Sequence, residues 1–174
     1  LLGMSEVNYE SEKARLLLLN DHLASSSLLV SEVFNTVEVD EENIEYIDKK
    51  DDPVIAIYKY EDILVQIVEL DVLFSKVNKV QIESKEIKNG KTQVETSQED
   101  ETNRFLVFMM GKEQYALNID FLREIILADT TFTEIAGSSK EVMGVITLRD
   151  ELLLVVDLRV YYGFEPNVSD KNRI

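Results

Sequence analysis

Apolar residues in this sequence come in short runs, and a polar or glycine-containing turn follows most of them; residues 16–19, 54–57 and 152–156 are examples. Val, Ile, Leu and Phe dominate these runs, which is typical of β-strands that are buried on at least one face. No run approaches the roughly 20 residues that a membrane-spanning helix needs. Many short strands at close spacing favour a β-barrel or a β-sandwich over a parallel sheet covered by helices.

One polar stretch interrupts this pattern. Residues 75–103 contain no aromatic side chain, and their few Val and Ile residues follow no sustained period. Such a stretch cannot bury enough apolar surface to offset the entropy that is lost on ordering. We therefore expect three parts: a β-rich region over residues 1–74, a flexible linker over residues 75–103 and a second β-rich region over residues 104–174.

Turn signals predict individual hairpins within the two β-rich regions. A polar turn at Asn20 separates two apolar runs, and Gly111 begins a turn between two further runs. Asp40 is placed to cap one short helical turn. Residues 118–127 fit either a helical face or a strand, so both interpretations remain open.

The two regions also resemble each other at an offset of 88 residues. Residues 54–57 (VIAI) align with residues 142–145 (VMGV), and residues 62–70 (DILVQIVEL) align with residues 150–158 (DELLLVVDL). The repeated pattern of strand, turn and strand predicts two related β subdomains. The alternative is a chance similarity between apolar strands.

The charge balance is strongly acidic, with 34 Asp and Glu against 18 Lys and Arg and a formal net charge of −16. Such a surface repels phosphate backbones and anionic lipid, so we expect neither nucleic-acid binding nor direct membrane insertion. The sequence has no cysteine, which excludes disulfides, thiolate catalysis and cysteine metal sites. A cysteine-free chain fits a reducing compartment, and the expected location is cytoplasmic.

No residue pattern indicates catalysis. The single histidine, His22, lies at a predicted hairpin tip near Ser25, but neither an orienting carboxylate nor a Gly-containing oxyanion turn accompanies it. One acidic cluster lacks the spacing of a calcium loop; it comprises Glu38, Asp40, Glu41 and Glu42. We predict no catalytic residue, no metal site and no cofactor. A hydrolase that uses acidic residues is the remote alternative.

The sequence over residues 104–165 resembles the first part of the CheW-like domain, the coupling module of bacterial chemotaxis. The matching positions are Phe105–Phe108 (FLVF), Tyr115, Gly144-Val145, Leu148-Arg149 and Val156–Arg159 (VDLR). Residues 14–74 resemble the second part of the same domain more loosely. Several positions depart from the family pattern: Thr147 stands for its Asn, Asp150 for its turn Gly and Leu154 for its strand Pro. The loss of a turn Gly indicates altered turn geometry.

The two parts of the resemblance occur in inverted order, because the second part comes first in the chain. This order predicts a tandem protein that is cut so that the chain holds the back of one module and the front of the next. The two halves then dock within one chain as a permuted module. The alternative is pairing between chains, which predicts a domain-swapped homodimer.

The resemblance implies an all-β fold with one or two short helices, built as two small five-stranded SH3-like β-barrel subdomains packed together. It also implies a non-catalytic adaptor that couples the cytoplasmic tip of a chemoreceptor to the regulatory domain of the chemotaxis histidine kinase. An array-localising adaptor with a different partner is the alternative. The implied partner-binding residues are Leu122, Glu124, Gly144, Val145 and Arg149. Without the resemblance, Leu122 fits a core position equally well, and Arg149 and Arg159 fit turn anchors that form bidentate pairs with carboxylates.

Overall fold

A computed structural model of the chain describes residues 4–5, 13–20, 25–49, 52–60, 62–77, 103–129 and 131–164. These residues form thirteen strands and two short helices, α1 (Leu70–Lys76) and α2 (Leu158–Tyr161). The strands before α1 are β1 (Met4–Ser5), β2 (Arg15–Leu19), β3 (Ser26–Val30), β4 (Glu32–Val39), β5 (Ile44–Tyr46), β6 (Val54–Tyr60) and β7 (Ile63–Val68). The later strands are β8 (Asn103–Met110), β9 (Glu113–Asn118), β10 (Leu122–Leu127), β11 (Phe132–Thr133), β12 (Val142–Leu148) and β13 (Glu151–Asp157).

The predicted hairpins are present where the structure describes them. Gly111, at φ +62°, lies in the two-residue turn between β8 and β9, whose end residues Met110 and Glu113 pair directly. A second two-residue turn, Arg149-Asp150, joins β12 to β13, and both its residues have positive φ (48° and 68°). Two positive φ angles are the geometry of a type I′ hairpin turn, in which Asp is tolerated where the family pattern has Gly.

Two ambiguous predictions are now decided. Residues 118–127 form a short 3-10 turn, Ile119–Phe121, followed by strand β10. The predicted helical turn after Asp40 is also present, as the 3-10 turn Glu41–Asn43. However, the Asp40 side chain makes no capping hydrogen bond; its backbone carbonyl accepts one from the Asn43 amide at 2.9 Å. His22 and residues 78–102, the greater part of the predicted linker, lie outside the described residues.

The described strands form two sheets, and each sheet draws on both halves of the chain. We name residues 13–77 segment 1 and residues 103–164 segment 2. Sheet A has the order β1-β11-β12-β13-β3-β2-β10, and sheet B has the order β4-β8-β9-β7-β6-β5. The predicted boundaries at residues 74 and 104 therefore divide the sequence but do not divide the sheets. Ser75 and Lys76 belong to α1, and Asn103 begins β8.

The two segments exchange hairpins reciprocally. The β2–β3 hairpin of segment 1 lies between β13 and β10 of segment 2, where Leu28 pairs with Val156 and Leu19 pairs with Leu122. The β8–β9 hairpin of segment 2 lies between β4 and β7 of segment 1. Each sheet thus contains four strands of one segment and one hairpin of the other, together with β1 in sheet A. The described sheets therefore have seven and six strands, where five each were expected.

The internal similarity at an offset of 88 residues is confirmed by the strands themselves. Three elements of segment 1, β6, β7 and α1, begin at residues 54, 63 and 70, and β12, β13 and α2 begin at residues 142, 151 and 158. The β6–β7 and β12–β13 ladders even share an irregularity at the equivalent place, between Val54 and Ala56 and between Val142 and Gly144. Because the order of equivalent strands is also the same in both sheets, the segments are related by an approximate internal two-fold.

Three hydrophobic clusters show that each sheet curls around its own core. Sheet A encloses a cluster that includes Leu18, Leu29 and Val155, and sheet B encloses one that includes Val65 and Phe105. The largest cluster lies between the sheets and includes Leu70, Leu73 and Phe74 of α1 and Leu158 of α2. An all-β fold with two short helices and two packed β subdomains is therefore confirmed.

The seam between the two subdomains also holds an aromatic cluster. The ring of Tyr162, just after α2, lies 5.1 Å from that of Tyr115 on β9, measured between centroids. The Tyr115 hydroxyl donates a 2.8 Å hydrogen bond to the Glu113 carboxylate. Burial raises the pKa of the Tyr115 phenol, and the Glu113 carboxylate raises that pKa further. Both tyrosines therefore remain neutral and serve as packing groups across the seam.

Candidate functional site

The five residues implied by the family resemblance all lie in sheet A. Leu122 and Glu124 lie on β10, Gly144 and Val145 lie on β12, and Arg149 lies in the turn between β12 and β13. β10 is the terminal strand of sheet A, and three strands separate it from β12 in the hydrogen-bonded order. The curvature of the sheet nevertheless brings two of the five side chains into direct contact.

Glu124 and Arg149 form a bidentate ion pair. Nη1 of Arg149 donates to Oε2 of Glu124, and Nη2 donates to Oε1, each at 3.0 Å. The Arg149 side chain is 74% exposed and the Glu124 side chain 32% exposed, so water screens the attraction. Such a surface pair adds little to stability, but its two parallel hydrogen bonds fix the orientation of both groups. The pair therefore presents an ordered guanidinium and an ordered carboxylate to solvent.

A second ion pair lies beside the first and was not predicted from the sequence. Nη1 of Arg123 lies 2.8 Å from Oε2 of Glu151. Each pair joins β10 to the β12–β13 hairpin, although β2 and β3 lie between β10 and β13 in the sheet. The two pairs therefore join strands that are not neighbours in the sheet. Their partners are far apart in sequence, so only the curvature of the sheet reveals the pairing.

The turn that carries Arg149 explains why its guanidinium is so accessible. Arg149 occupies the first of the two turn positions, and Asp150 occupies the second. A two-residue turn of this type follows the twist of its flanking strands, and its two residues form the end of the hairpin. Both turn residues are exposed, whereas Leu153 and Leu154 in the following strand are buried. Arg149 and Asp150 are therefore exposed charged residues at the end of the β12–β13 hairpin.

Leu122 and Glu124 flank an irregularity in strand pairing. Leu122 pairs with Leu19 and Glu124 pairs with Leu18, so Arg123 is an extra residue on β10. A bulge of this kind redirects side chains and increases the local twist. Leu122 is half-buried and packs against the cluster between the sheets. It therefore contributes to the seam and also reaches the surface.

Gly144 is buried and Val145 is half-buried, so neither is an exposed surface residue. Gly144 is buried and has φ +143°, and a Cβ atom there would lie 2.3 Å from the backbone oxygen of Thr133. The absence of a side chain at this position lets β11 approach β12 closely. Val145 is half-buried, pairs with Thr133 and Leu154, and packs against the cluster between the sheets. Both residues hold the strand that leads to the Arg149 turn.

Three exposed apolar side chains lie on the strands that carry the ion pairs. Ile125 and Leu127 on β10 are 37% and 51% exposed, and Leu152 on β13 is 49% exposed. Residues 123, 125 and 127 alternate with more buried residues along β10, so they point to one face of the strand. The sequence contains this alternation, but residues 118–127 also fit a helix, so the alternation alone does not predict an exposed strand face. Charged pairs beside exposed apolar residues are typical of a protein-binding surface.

The features that could have indicated other chemistry have structural roles or lie on the surface. Ser27 is buried, and its hydroxyl donates a 3.1 Å hydrogen bond to the backbone oxygen of Leu154. The acidic cluster around Glu41 is exposed, and the described residues contain no group of three or more His, Cys, Asp or Glu residues placed to hold a metal. No helix in the described part of the chain is long and apolar enough to cross a membrane.

Comparison with known proteins finds one family match, in the second half of the chain. Residues 104–174 match the CheW-like domain. The chain is similar to the crystal structure of scaffolding protein TtCheW from Thermoanaerobacter tengcongensis, with a TM-score of 0.53 and 15% sequence identity over 94% of this chain and 96% of that chain. No curated protein was found to match the sequence. At this identity the structural similarity shows the fold alone. The match to the CheW-like domain thus covers residues 104–174, and the fold of the chain is similar to that of the scaffolding protein TtCheW.

Proposed function

We propose that this chain is a non-catalytic adaptor that couples the cytoplasmic tip of a chemoreceptor to the regulatory domain of a chemotaxis histidine kinase. The observation that carries the proposal is the match of residues 104–174 to the CheW-like domain, since the same residues hold the ordered Glu124–Arg149 pair. The proposal places the adaptor in the cytoplasm, where both partners present their signalling domains.

The surface around the Arg149 turn supports binding by two kinds of interaction. The exposed apolar side chains of Ile125 and Leu152 offer area whose burial favours association. The ion pairs beside them provide charges of both signs in fixed positions, which favours one partner and one orientation over others. Because Arg149 and Glu124 already satisfy each other, a partner that engages them exchanges one set of hydrogen bonds for another. Such a surface suits reversible recognition.

We expect charge reversal at Arg149 to weaken partner binding. In Arg149→Glu the guanidinium is lost and two carboxylates face each other, so affinity for a receptor-tip fragment, for the kinase regulatory domain or for both should fall by about 10- to 100-fold. The substitution keeps a Cβ at the same positive φ, so its backbone cost should be small. Isothermal titration calorimetry against each partner measures the effect, and circular dichroism checks that the fold is retained.

A matched control separates local recognition from net charge. Lys59→Glu makes the same change of charge at an exposed residue on β6, in sheet B, and should leave affinity unchanged. The double variant Glu124→Arg/Arg149→Glu restores an ion pair with reversed polarity; binding should remain weak if the partner contacts each charge directly. Wild-type affinity in both Arg149→Glu and Glu124→Arg would contradict the proposed surface. Binding to neither partner by the wild-type chain would instead favour an array-localising adaptor with a different partner.

The non-catalytic part of the proposal has its own test. The wild-type chain should show no turnover of generic ester, phosphoester, peptide or glycoside substrates above a blank. Turnover that persists through purification and disappears on substitution of an acidic residue such as Glu41 would restore the hydrolase alternative.

A further inference from the structure

The exchanged hairpins define two recognition slots in the fold. Slot A lies between β13 and β10 of segment 2, and slot B lies between β4 and β7 of segment 1. In this structure the β2–β3 hairpin occupies slot A and the β8–β9 hairpin occupies slot B, and both hairpins belong to the same chain. Strands on both sides of each hairpin form backbone ladders with it.

In this structure neither barrel is formed by the strands of one segment alone. The hairpin in slot B contributes Phe105, Phe108, Tyr115 and Leu117, which are 0–7% exposed, and the hairpin in slot A contributes Leu17 and Leu28, both 0% exposed. Without its hairpin, each slot would expose these contact surfaces and two rows of unpaired backbone N–H and C=O groups. Each segment therefore has a specific binding site for the hairpin of the other segment.

The covalent connection between the segments does not determine whether the hairpin in each slot comes from the same chain or from a second copy. Val77 ends the described part of segment 1 and Asn103 begins segment 2, so 25 residues (78–102) connect them. Such a connection spans at most about 85 Å. A connection of this length gives the two segments of one chain an effective mutual concentration on the order of 1 mM. The hairpin of a second copy makes the same contacts, so total concentration decides between the two.

We propose that a second copy of this chain is a binding partner that fills both slots, giving a segment-exchanged dimer with two complete pairs of barrels. Segment 1 of each copy then pairs with segment 2 of the other, through the ladders described above. The internal two-fold makes the exchange reciprocal, so no hairpin and no slot remains unpaired. The inference rests on strand topology and is independent of the proposed signalling function.

Single cysteine variants test the exchange, because the natural sequence contains no cysteine. Glu38 on β4 and Arg104 on β8 are exposed and pair directly across the two segments. Glu38→Cys and Arg104→Cys chains are unfolded together, refolded as a mixture and oxidised gently. A disulfide between the two different variants requires segment 1 of one copy to pair with segment 2 of the other. On a non-reducing gel, the mixed dimer should exceed the dimers that each variant forms alone.

The yield should depend on concentration. Refolding at ~1 mM should give at least about tenfold more mixed dimer than refolding at ~1 µM, since the intrachain contact competes at an effective concentration near ~1 mM. Light scattering on the wild-type chain refolded under the same two conditions should show a dimer fraction that changes in parallel. No mixed dimer at either concentration, or a yield independent of concentration, would overturn the proposal.

Double variants test whether cysteines at positions 38 and 104 can form a disulfide. Glu38→Cys/Arg104→Cys in one chain should form an intrachain disulfide at ~1 µM, where the connected segments meet first. The pair Arg15→Cys and Leu127→Cys, which joins β2 to β10, provides a second and independent site for the same experiment. Failure of both double variants to form an intrachain disulfide would contradict the cross-segment pairing itself and with it the exchange.

Discussion

Replacing Asp157 with Ala is expected to lower the free energy of unfolding by about 3–5 kcal/mol, because it leaves the Arg159 guanidinium buried without its carboxylate. Oδ1 of Asp157 accepts hydrogen bonds from the backbone N and from Nε of Arg159, both at 2.9 Å, and Oδ2 accepts one from Nη2 at 2.7 Å. The two side chains are 0% and 5% exposed. The pair also lies where β13 ends and α2 begins, so its loss affects the seam between the subdomains.

Glu69 provides a matched control for Asp157, because it is the equivalent residue at the offset of 88 and directly precedes α1. Its side chain makes no capping hydrogen bond, and burial raises its pKa. Glu69→Ala should therefore change stability far less than Asp157→Ala. The double variant Asp157→Leu/Arg159→Leu should recover part of the loss, since it removes both buried charges together. Urea unfolding followed by circular dichroism measures all three, and equal losses for Asp157→Ala and Glu69→Ala would contradict the ion-pair explanation.

Replacing Gly144 with Ala is expected to cost about 2–4 kcal/mol, the sum of backbone strain and a steric clash. The strain arises because φ at this residue is +143°, and the clash arises because the new Cβ would lie 2.3 Å from the backbone oxygen of Thr133. Relief of the clash requires β11 to move away from β12, and this movement breaks the pairing of Thr133 with Val145. Chemical denaturation measures the cost.

Gly137→Ala separates the two causes. Gly137 also has positive φ (+80°), but no atom lies within 4 Å of its added Cβ, so only the conformational cost of about 1 kcal/mol should remain. Equal losses in the two variants would show that Thr133 moves without cost. A larger loss at Gly144 has a consequence for binding experiments: weakened partner binding by a Gly144 variant would report a displaced β12 rather than a lost contact. Arg149 and Glu124 are therefore the better probes of the surface.

The sequence predicted the strands and turns well because those depend on neighbouring residues. The turn at Gly111, the strand that contains residues 152–156 and the repeat at an offset of 88 all follow from local patterns of apolar residues and turn formers. The bidentate pairing of Arg159 was also accessible, because its carboxylate partner lies only two residues away. The predicted bidentate pairing of Arg149 is confirmed as well, although that pair is exposed rather than buried.

The exchange of hairpins could not be predicted in the same way. Alternation along β2 or β8 shows which face of a strand is buried, but it does not identify the neighbouring strand. The repeat predicts two related β subdomains but does not predict which segment supplies each strand, and each sheet combines both segments. The contact of Arg123 with Glu151 depends on the curvature of sheet A and shows no local signal. The burial of Gly144, one of the five candidate residues, depends on the close approach of Thr133, and the local sequence does not show this contact either.

The reciprocal exchange has a consequence for how fast the chain reaches its native state. The four ladders between the segments join residues that are 49 to 128 positions apart, as in the pairs Gln66 with Tyr115 and Leu28 with Val156. Folding rates fall as the mean separation of contacting residues rises, because the entropy of closing long loops is lost before the contacts form. Each barrel also needs a hairpin of the other segment, so neither can serve as a finished template for the other. We expect a slow, single folding event that depends on the encounter of the two segments, and a newly made chain should remain vulnerable to proteases until that encounter occurs.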